Sequence, residues 1–113
     1  MFKRWVPGIL LVIVILSVSC SKHSRVLKSG DNELKYEVAV DLYEKGDYYR
    51  AIQLFDQLIA IYRGTDRIEN INYYYANCYY QQEDYLLASY YFKRFAQNYP
   101  NSPRAEECMF LNA

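Results

Sequence analysis

The sequence contains few of the side chains on which enzyme and metal sites depend. Its 113 residues include one histidine, His23, three cysteines and four glycines. A CxxC pair, an HExxH pattern and a glycine-rich phosphate loop are all missing, which argues against a catalytic, metal or nucleotide site. The formal net charge is zero, so no basic surface for nucleic acid is indicated. We therefore expect no catalytic residues, no metal, no cofactor and no nucleic-acid partner.

Tyrosine is the residue that the sequence has in excess. There are 14 tyrosines, and aromatic residues make up 18% of the chain. A tyrosine ring is apolar while its hydroxyl needs a hydrogen-bond partner, so tyrosine suits surfaces that are half buried or that bind something. We expect a protein whose helices or strands share such surfaces with partners.

The first residues have the pattern of an export signal. Lys3 and Arg4 precede an apolar run from Trp5 to Val18, which is shorter than the ~20 residues of a membrane-spanning helix. The run ends in "LSVSC", which resembles the lipobox of bacterial lipoproteins. That resemblance implies cleavage after residue 19 and acylation of Cys20. A plain secretory signal or an uncleaved anchor is the alternative.

A 37-residue repeat follows a tether without apolar periodicity. The stretch "GDYYRAIQLF" returns as "EDYLLASYYF", so that Ala51 matches Ala88 and Phe55 matches Phe92. Within each copy the apolar residues follow the 3, 4 rhythm of a helix. Each copy therefore predicts two helices joined by a tight turn.

The ends of these helices carry recognisable capping residues. Asp47 and Asp84 are placed to cap the second helix of each copy, and Asp66 with Glu69 has the form of a capping box for the third helix. Gly46 suits the backbone of the first turn, where the second copy has Glu83.

The order of small, Gly-Asp-Tyr, alanine and aromatic positions resembles the tetratricopeptide repeat. The resemblance implies an all-α fold of helical hairpins stacked as an α-solenoid. We divide the chain into a signal peptide (1–19), a lipid-anchored tether (20–30), repeat 1 (31–64), repeat 2 (65–101) and the start of a third repeat (102–113). Because arrays usually need about three repeats, we expect the natural chain to be longer.

Together with Cys20 and the tether, the repeats resemble the BamD family of outer-membrane assembly lipoproteins. That resemblance implies a lipid anchor on the periplasmic face of the outer membrane. It also implies two kinds of partner, an outer-membrane β-barrel assembly protein with periplasmic repeats and unfolded outer-membrane protein clients. A nutrient-capture lipoprotein that binds glycans, or a pilus-type assembly factor, is the alternative.

One face of the first helices is the candidate binding surface. Its residues recur at i, i+4 and i+7 in both copies, and we call them the tyrosine stripe: Tyr36, Val40, Tyr43, Tyr73, Asn77 and Tyr80. A neighbouring stripe that includes Tyr75 and Tyr79 is needed for the core. The tyrosine stripe therefore indicates either a concave groove for a peptide or partner, or a face that packs on further C-terminal chain or on the tether.

Cys78 and Cys108 lie on successive first helices. In an exported protein they could form a disulfide, but helical cysteines are more commonly small buried hydrophobes, and we favour that interpretation.

The lipobox generates a prediction about the anchor. The Cys20→Ala protein should be exported and should move from the membrane fraction to the soluble fraction, because several acyl chains hold a protein on a membrane where one chain does not. Fractionation followed by immunoblotting measures this. Membrane association of the exported variant, with its signal removed, would show that partners hold the protein instead.

Overall fold

The computed structural model describes residues 23–112, without the side chain of Asn112, and all regular structure within these residues is helical. The predicted signal peptide (1–19) and the predicted lipid attachment site at Cys20 lie outside the described residues. Residues 23–28 form a short helix in a unit that ends at Gly30, and a second unit begins at Asp31. None of the described helices is long and apolar enough to cross a membrane.

In its described part, the second unit consists of five helices. They are α1 (Asn32–Glu44), α2 (Tyr48–Ile61), α3 (Arg67–Gln81), α4 (Tyr85–Asn98) and α5 (Ala105–Asn112). Each helix packs against the next one in the sequence. This arrangement of successive helical hairpins confirms the predicted all-α, tetratricopeptide-like fold.

Three of the helices begin at an aspartate that caps them. The carboxylates of Asp31, Asp47 and Asp84 accept a hydrogen bond from the backbone N–H three residues later, at 3.1, 3.4 and 3.4 Å. Such a bond satisfies one of the backbone donors that the first helical turn leaves free. The predicted caps at Asp47 and Asp84 are confirmed.

The predicted capping box at the start of α3 is wrong. Asp66 has right-handed helical backbone angles and its side chain makes no capping hydrogen bond. A tight turn comes directly before it, in which the Thr65 hydroxyl donates to the Tyr62 carbonyl oxygen at 2.6 Å and the Ile68 N–H donates to the Thr65 carbonyl oxygen. The backbone is therefore already wound when it reaches Asp66, and its carboxylate is not placed over the first turn. Glu69 still contributes negative charge there.

The turns inside the two hairpins need the same left-handed backbone. Gly46 has φ of 82°, and Glu83, which is 37 residues later, has φ of 63°. A side chain in this region costs roughly 1 to 2 kcal/mol, because its Cβ approaches the next carbonyl oxygen. The first hairpin avoids that strain with glycine and the second does not.

The core is built from equivalent positions in the two copies. The side chains that solvent does not reach are of two kinds, small residues where helices come close together and large residues beside them. They are Ala39, Ala51, Leu54, Phe55 and Leu58 in the first copy, and Ala76, Ala88, Phe92 and Phe95 in the second. α5 adds Cys108 to the second cluster. The small residues let helix axes approach, and the phenylalanine rings fill the space beside them.

Burial also determines the state of three ionisable groups in the core. Cys78 and Cys108 are free and fully buried, which agrees with the interpretation as small hydrophobes. Burial raises the pKa of Cys78 to about 12 and that of Cys108 to about 11. Tyr75 is 5% exposed and its hydroxyl donates to Asp56 Oδ1 at 2.6 Å. Burial and then this bond raise the Tyr75 pKa.

We expect the fold to lose stability steeply in alkali. Above the ordinary pKa of 9.0 for cysteine and 10.0 for tyrosine, the unfolded chain releases protons that the folded chain keeps. The stabilisation is therefore complete below pH 9, and it is lost as the pH rises towards the folded values. Thermal unfolding followed by circular dichroism from pH 7 to pH 11 measures it. Cys78→Ala should make the decline shallower, and a constant melting temperature up to pH 11 would contradict the expectation.

The strained turn gives a second prediction. Glu83→Gly should raise the free energy of unfolding by about 0.5 to 1 kcal/mol, since relief of the left-handed strain exceeds the entropy that glycine adds to the unfolded chain. The reciprocal change Gly46→Glu is the matched control and should lower it by about 1 kcal/mol, because a Cβ there meets no atom closer than 4.0 Å and only strain is added. Urea unfolding of the three proteins measures these free energies. Equal stabilities for wild type and Glu83→Gly would contradict the proposed strain.

Candidate functional site

The tyrosine stripe lies on α1 and α3, three residues on each helix. All six side chains are half buried, and none belongs to the inaccessible core. They are thus partly open to solvent while also contacting neighbours within the array. Their role in binding stays a prediction, and the contacts below decide what each side chain still offers to a partner.

Two residues of the tyrosine stripe bridge α1 and α3 directly. The Asn77 side-chain amide donates a hydrogen bond to the Tyr43 hydroxyl. The Tyr43 ring also packs against Tyr74, with centroids 4.8 Å apart, and against Tyr48 at 5.8 Å. Burial raises the pKa of Tyr43. Asn77 has a second N–H and a carbonyl oxygen, which make no hydrogen bond among the described residues and remain available to a ligand.

Tyr36 is covered by an arginine from the next repeat. The Arg67 guanidinium lies 4.3 Å from the centroid of the Tyr36 ring, in cation–π geometry, and Nη1 donates to the Glu33 carboxylate. This hydrogen bond lowers the pKa of Glu33. Arg67 Nη1 also lies 3.4 Å from the Tyr62 hydroxyl. One arginine therefore ties the start of α3 to α1 and to the end of α2.

The same arrangement recurs one repeat later. The Arg104 guanidinium lies 4.4 Å from the centroid of the Tyr73 ring, and Nη1 donates to Asn70 Oδ1 at 2.7 Å. The Tyr73 hydroxyl donates to Glu107 Oε1 at 3.3 Å. Burial, followed by the nearby Glu107 charge, raises the pKa of Tyr73 to about 12. Arg104 follows Arg67 by 37 residues, so the contact belongs to the repeat.

The tyrosines of α3 also contact the second helix of their own hairpin. The Tyr73 ring meets Phe95 edge to face at 5.9 Å, and the Tyr80 ring meets Phe92 at 6.2 Å and Tyr85 at 5.6 Å. These contacts fix the rings in place before any partner arrives. The six residues keep half-exposed aromatic surface and the Asn77 amide for a partner, while the Tyr43 and Tyr73 hydroxyls are already hydrogen-bonded. Such a surface suits binding, and it includes no reacting group.

Sequence reasoning found the tyrosine stripe but missed the arginines that cover it. Arg67 and Arg104 share the 37-residue spacing of Tyr36 and Tyr73, and that spacing was the available signal. Among the described residues, no group of three His, Cys, Asp or Glu side chains could hold a metal ion.

Comparison with known proteins gives the family. A family model described as YfiO, outer membrane lipoprotein, matches residues 29–113. A curated relative, the putative outer membrane protein assembly factor BamD of Aquifex aeolicus (strain VF5), is 29% identical over 110 residues. The alignment covers 96% of this chain but 36% of the relative, so the chain spans little more than a third of the relative's length.

The family match extends over most of the chain, from the tether through all five helices of the second unit. It confirms the resemblance found in the sequence and the localisation that the resemblance implied. The chain belongs to the YfiO family of outer membrane lipoproteins, which face the periplasm.

Proposed function

We propose that the protein is a lipid-anchored scaffold, without enzymatic activity, in the assembly and insertion of outer-membrane β-barrel proteins. The observation that carries the proposal is the family match over residues 29–113. The Aquifex relative is named as a putative assembly factor of outer membrane proteins, which supports the same role. The partners are an outer-membrane β-barrel assembly protein with periplasmic repeats and unfolded outer-membrane protein clients.

The anchor of this scaffold is the acylated Cys20. Residues 20–30 act as its tether. Fully extended, the ten residues 21–30 would reach at most ~33 to 36 Å, and the helix at residues 23–28 makes the reach shorter. The repeats, proposed as residues 31–64 and 65–101 with a third beginning at 102, are thereby held close to the membrane where β-barrel proteins insert. The tether keeps the repeats near the membrane, and the helices recognise the partner proteins.

Recognition occurs at the tyrosine stripe, which we place on the concave side of the array. The Tyr73 ring is already fixed by its contact with Phe95 and the Tyr80 ring by its contact with Phe92, so a partner does not have to order them. The unused N–H and carbonyl oxygen of Asn77 can pair with a backbone amide of an extended segment. Strands of β-barrels alternate apolar and polar residues, and an alternating strand can set one row of side chains against a row of tyrosine edges.

The groove is tested by removing two of its rings. The Tyr73→Ala, Tyr80→Ala double variant should bind a peptide from the C-terminal strand of an outer-membrane β-barrel more weakly. Aromatic anchors typically contribute on the order of 1 to 2 kcal/mol each, or roughly 5- to 30-fold in affinity per ring. Fluorescence anisotropy with the labelled peptide, after circular dichroism has shown that the variant is folded, measures the loss.

Two single variants separate binding from packing. Tyr49→Ala removes a ring that is 67% exposed on α2 and should leave both the affinity and the melting temperature unchanged. Tyr79→Ala removes a ring packed on Tyr75 and Tyr91, and it should lower the melting temperature while a folded sample keeps its affinity. Wild-type affinity in a folded Tyr73/Tyr80 variant would rule out the groove and leave the tyrosine stripe as a packing face.

A further inference from the structure

A cleft of about 540 Å³ lies between the two second helices, away from the tyrosine stripe. Its walls come from α2, the turn after α2, α3 and α4, and they include Asp56, Arg63, Asn72, Tyr75, Tyr91 and Arg94. The volume falls in the range of roughly 300 to 1,000 Å³ that is usual for ligand sites. Neither the repeat pattern nor the family match assigns a role to this cleft.

The cleft and the tyrosine stripe use different faces of α3. The cleft is lined by Ile68, Asn72 and Tyr75, whereas the stripe has Tyr73, Asn77 and Tyr80. At ~100° per residue, the centres of these two sets are roughly 140° apart around the helix axis. A ligand in the cleft would therefore not compete directly with a segment on the stripe.

The floor of the cleft is fixed by contacts among its own side chains. The Tyr75 hydroxyl donates to Asp56 Oδ1 at 2.6 Å, and the Tyr75 and Tyr91 rings meet edge to face at 4.8 Å. At the other end, the Asn72 side-chain amide donates to the Tyr99 hydroxyl at 3.2 Å. These tyrosine and asparagine side chains are held in position without a ligand, so the site is largely preformed.

Two arginines in the cleft have unused hydrogen-bonding capacity. Arg63 makes no hydrogen bond or ion pair within the described part of the chain. Arg94 has one contact there, a loose cation–π approach of 5.7 Å to Tyr90. The one carboxylate in the lining, Asp56, already accepts from Tyr75. The cleft thus has a net positive charge. Guanidinium groups bind carboxylates through bidentate hydrogen bonds, in which two N–H groups donate to the two carboxylate oxygens.

The aromatic rings favour a peptide over a sugar as the occupant. Sugars bind to open ring faces, but Tyr91 is stacked on Tyr79 at 5.4 Å and Tyr75 is 5% exposed. The cleft presents ring edges, hydroxyl groups and the amides of Asn72 and Asn98 instead. Amide side chains have both a donor and an acceptor, which match the N–H and C=O groups of a peptide backbone.

We propose that this cleft binds an extended peptide segment through a carboxylate, which Arg63 and Arg94 recognise while Asn72 and Asn98 pair with the backbone. The carboxylate is an acidic side chain or a chain terminus, since both present the same group to a guanidinium. This second peptide site goes beyond the proposed groove and does not depend on it. It would let one scaffold hold two segments on two sides of α3.

The test uses the whole chain, solubilised from membranes in detergent, and three fluorescein-labelled peptides. The first peptide alternates serine and glutamate, so that it lacks the apolar row of side chains that the tyrosine stripe would bind, and it has an amidated C-terminus. The second has glutamine in place of glutamate, and the third is the glutamine peptide with a free C-terminal carboxylate. Anisotropy titrations should show that at least one carboxylate peptide binds on the order of 10-fold more tightly than the amidated glutamine peptide. The tighter of the two carboxylate peptides identifies the source.

Single variants then locate the binding. Arg63→Gln and Arg94→Gln should each weaken the carboxylate peptide by on the order of 10-fold. Lys93→Gln removes the same charge from an exposed neighbour that does not line the cleft, and it should change affinity by less than about 2-fold. The Tyr73/Tyr80 variant should bind this peptide as wild type does, so failure of the groove and failure of the cleft are distinguishable.

Three results would overturn the proposal. The first is equal affinity for all three peptides, which would mean that no carboxylate is recognised. The second is an equal loss in Lys93→Gln and Arg63→Gln, which would indicate diffuse charge attraction. The third is displacement of the bound peptide by a neutral oligosaccharide such as chitotetraose, which would assign the cleft to glycans.

Discussion

The close approach of helices at buried alanines is the constraint on which the rest of the structure depends. Ala39 and Ala51 in one hairpin, and Ala76 and Ala88 in the next, are inaccessible or nearly so. A larger side chain at any of them would push two helix axes apart. The ring of Phe92 would then lose its packed surroundings, and the contacts that side chains make from one repeat to the next would no longer be in reach.

Those contacts between repeats join residues that are far apart in the sequence, and their spacing is regular. Arg67 reaches Glu33, Asn77 reaches Tyr43 and Arg104 reaches Asn70, each across 34 residues. The constant separation follows from stacking, because each first helix lies beside the next at one register. Arginine is suited to this position, since its flat guanidinium can cover a tyrosine ring and donate a hydrogen bond at the same time.

Local signals allowed much of the fold to be predicted from the sequence. Asp47 and Asp84 could be assigned as caps because each places a carboxylate three residues before a free backbone N–H at the start of a predicted helix. The same rule failed at Asp66, where the preceding turn had already wound the backbone into helical geometry. Capping therefore depends on how the chain enters the helix, and a spacing of residues does not reveal that.

The candidate sites could be predicted only in part, because some of their residues are far apart in the sequence and meet only in the folded chain. The tyrosine stripe is a property of single helices, so periodicity revealed it. The cleft depends on the Asp56 to Tyr75 bond between two helices and on rings from a third, and no local pattern encodes such a meeting. Tyr75 and Tyr79 looked alike as core residues, yet Tyr75 is buried and Tyr79 is half buried.

The abundance of tyrosine fits helices whose side chains pack against neighbouring helices at the base and reach solvent at the tip. A phenylalanine at position 73 would fill the same space against Phe95 but could not donate to Glu107. A leucine at position 75 would leave the Asp56 carboxylate without its hydroxyl partner. Tyrosine packs like a core residue at its base and hydrogen-bonds like a surface residue at its tip. Helices covered in this way can remain half exposed without forming a wholly apolar patch.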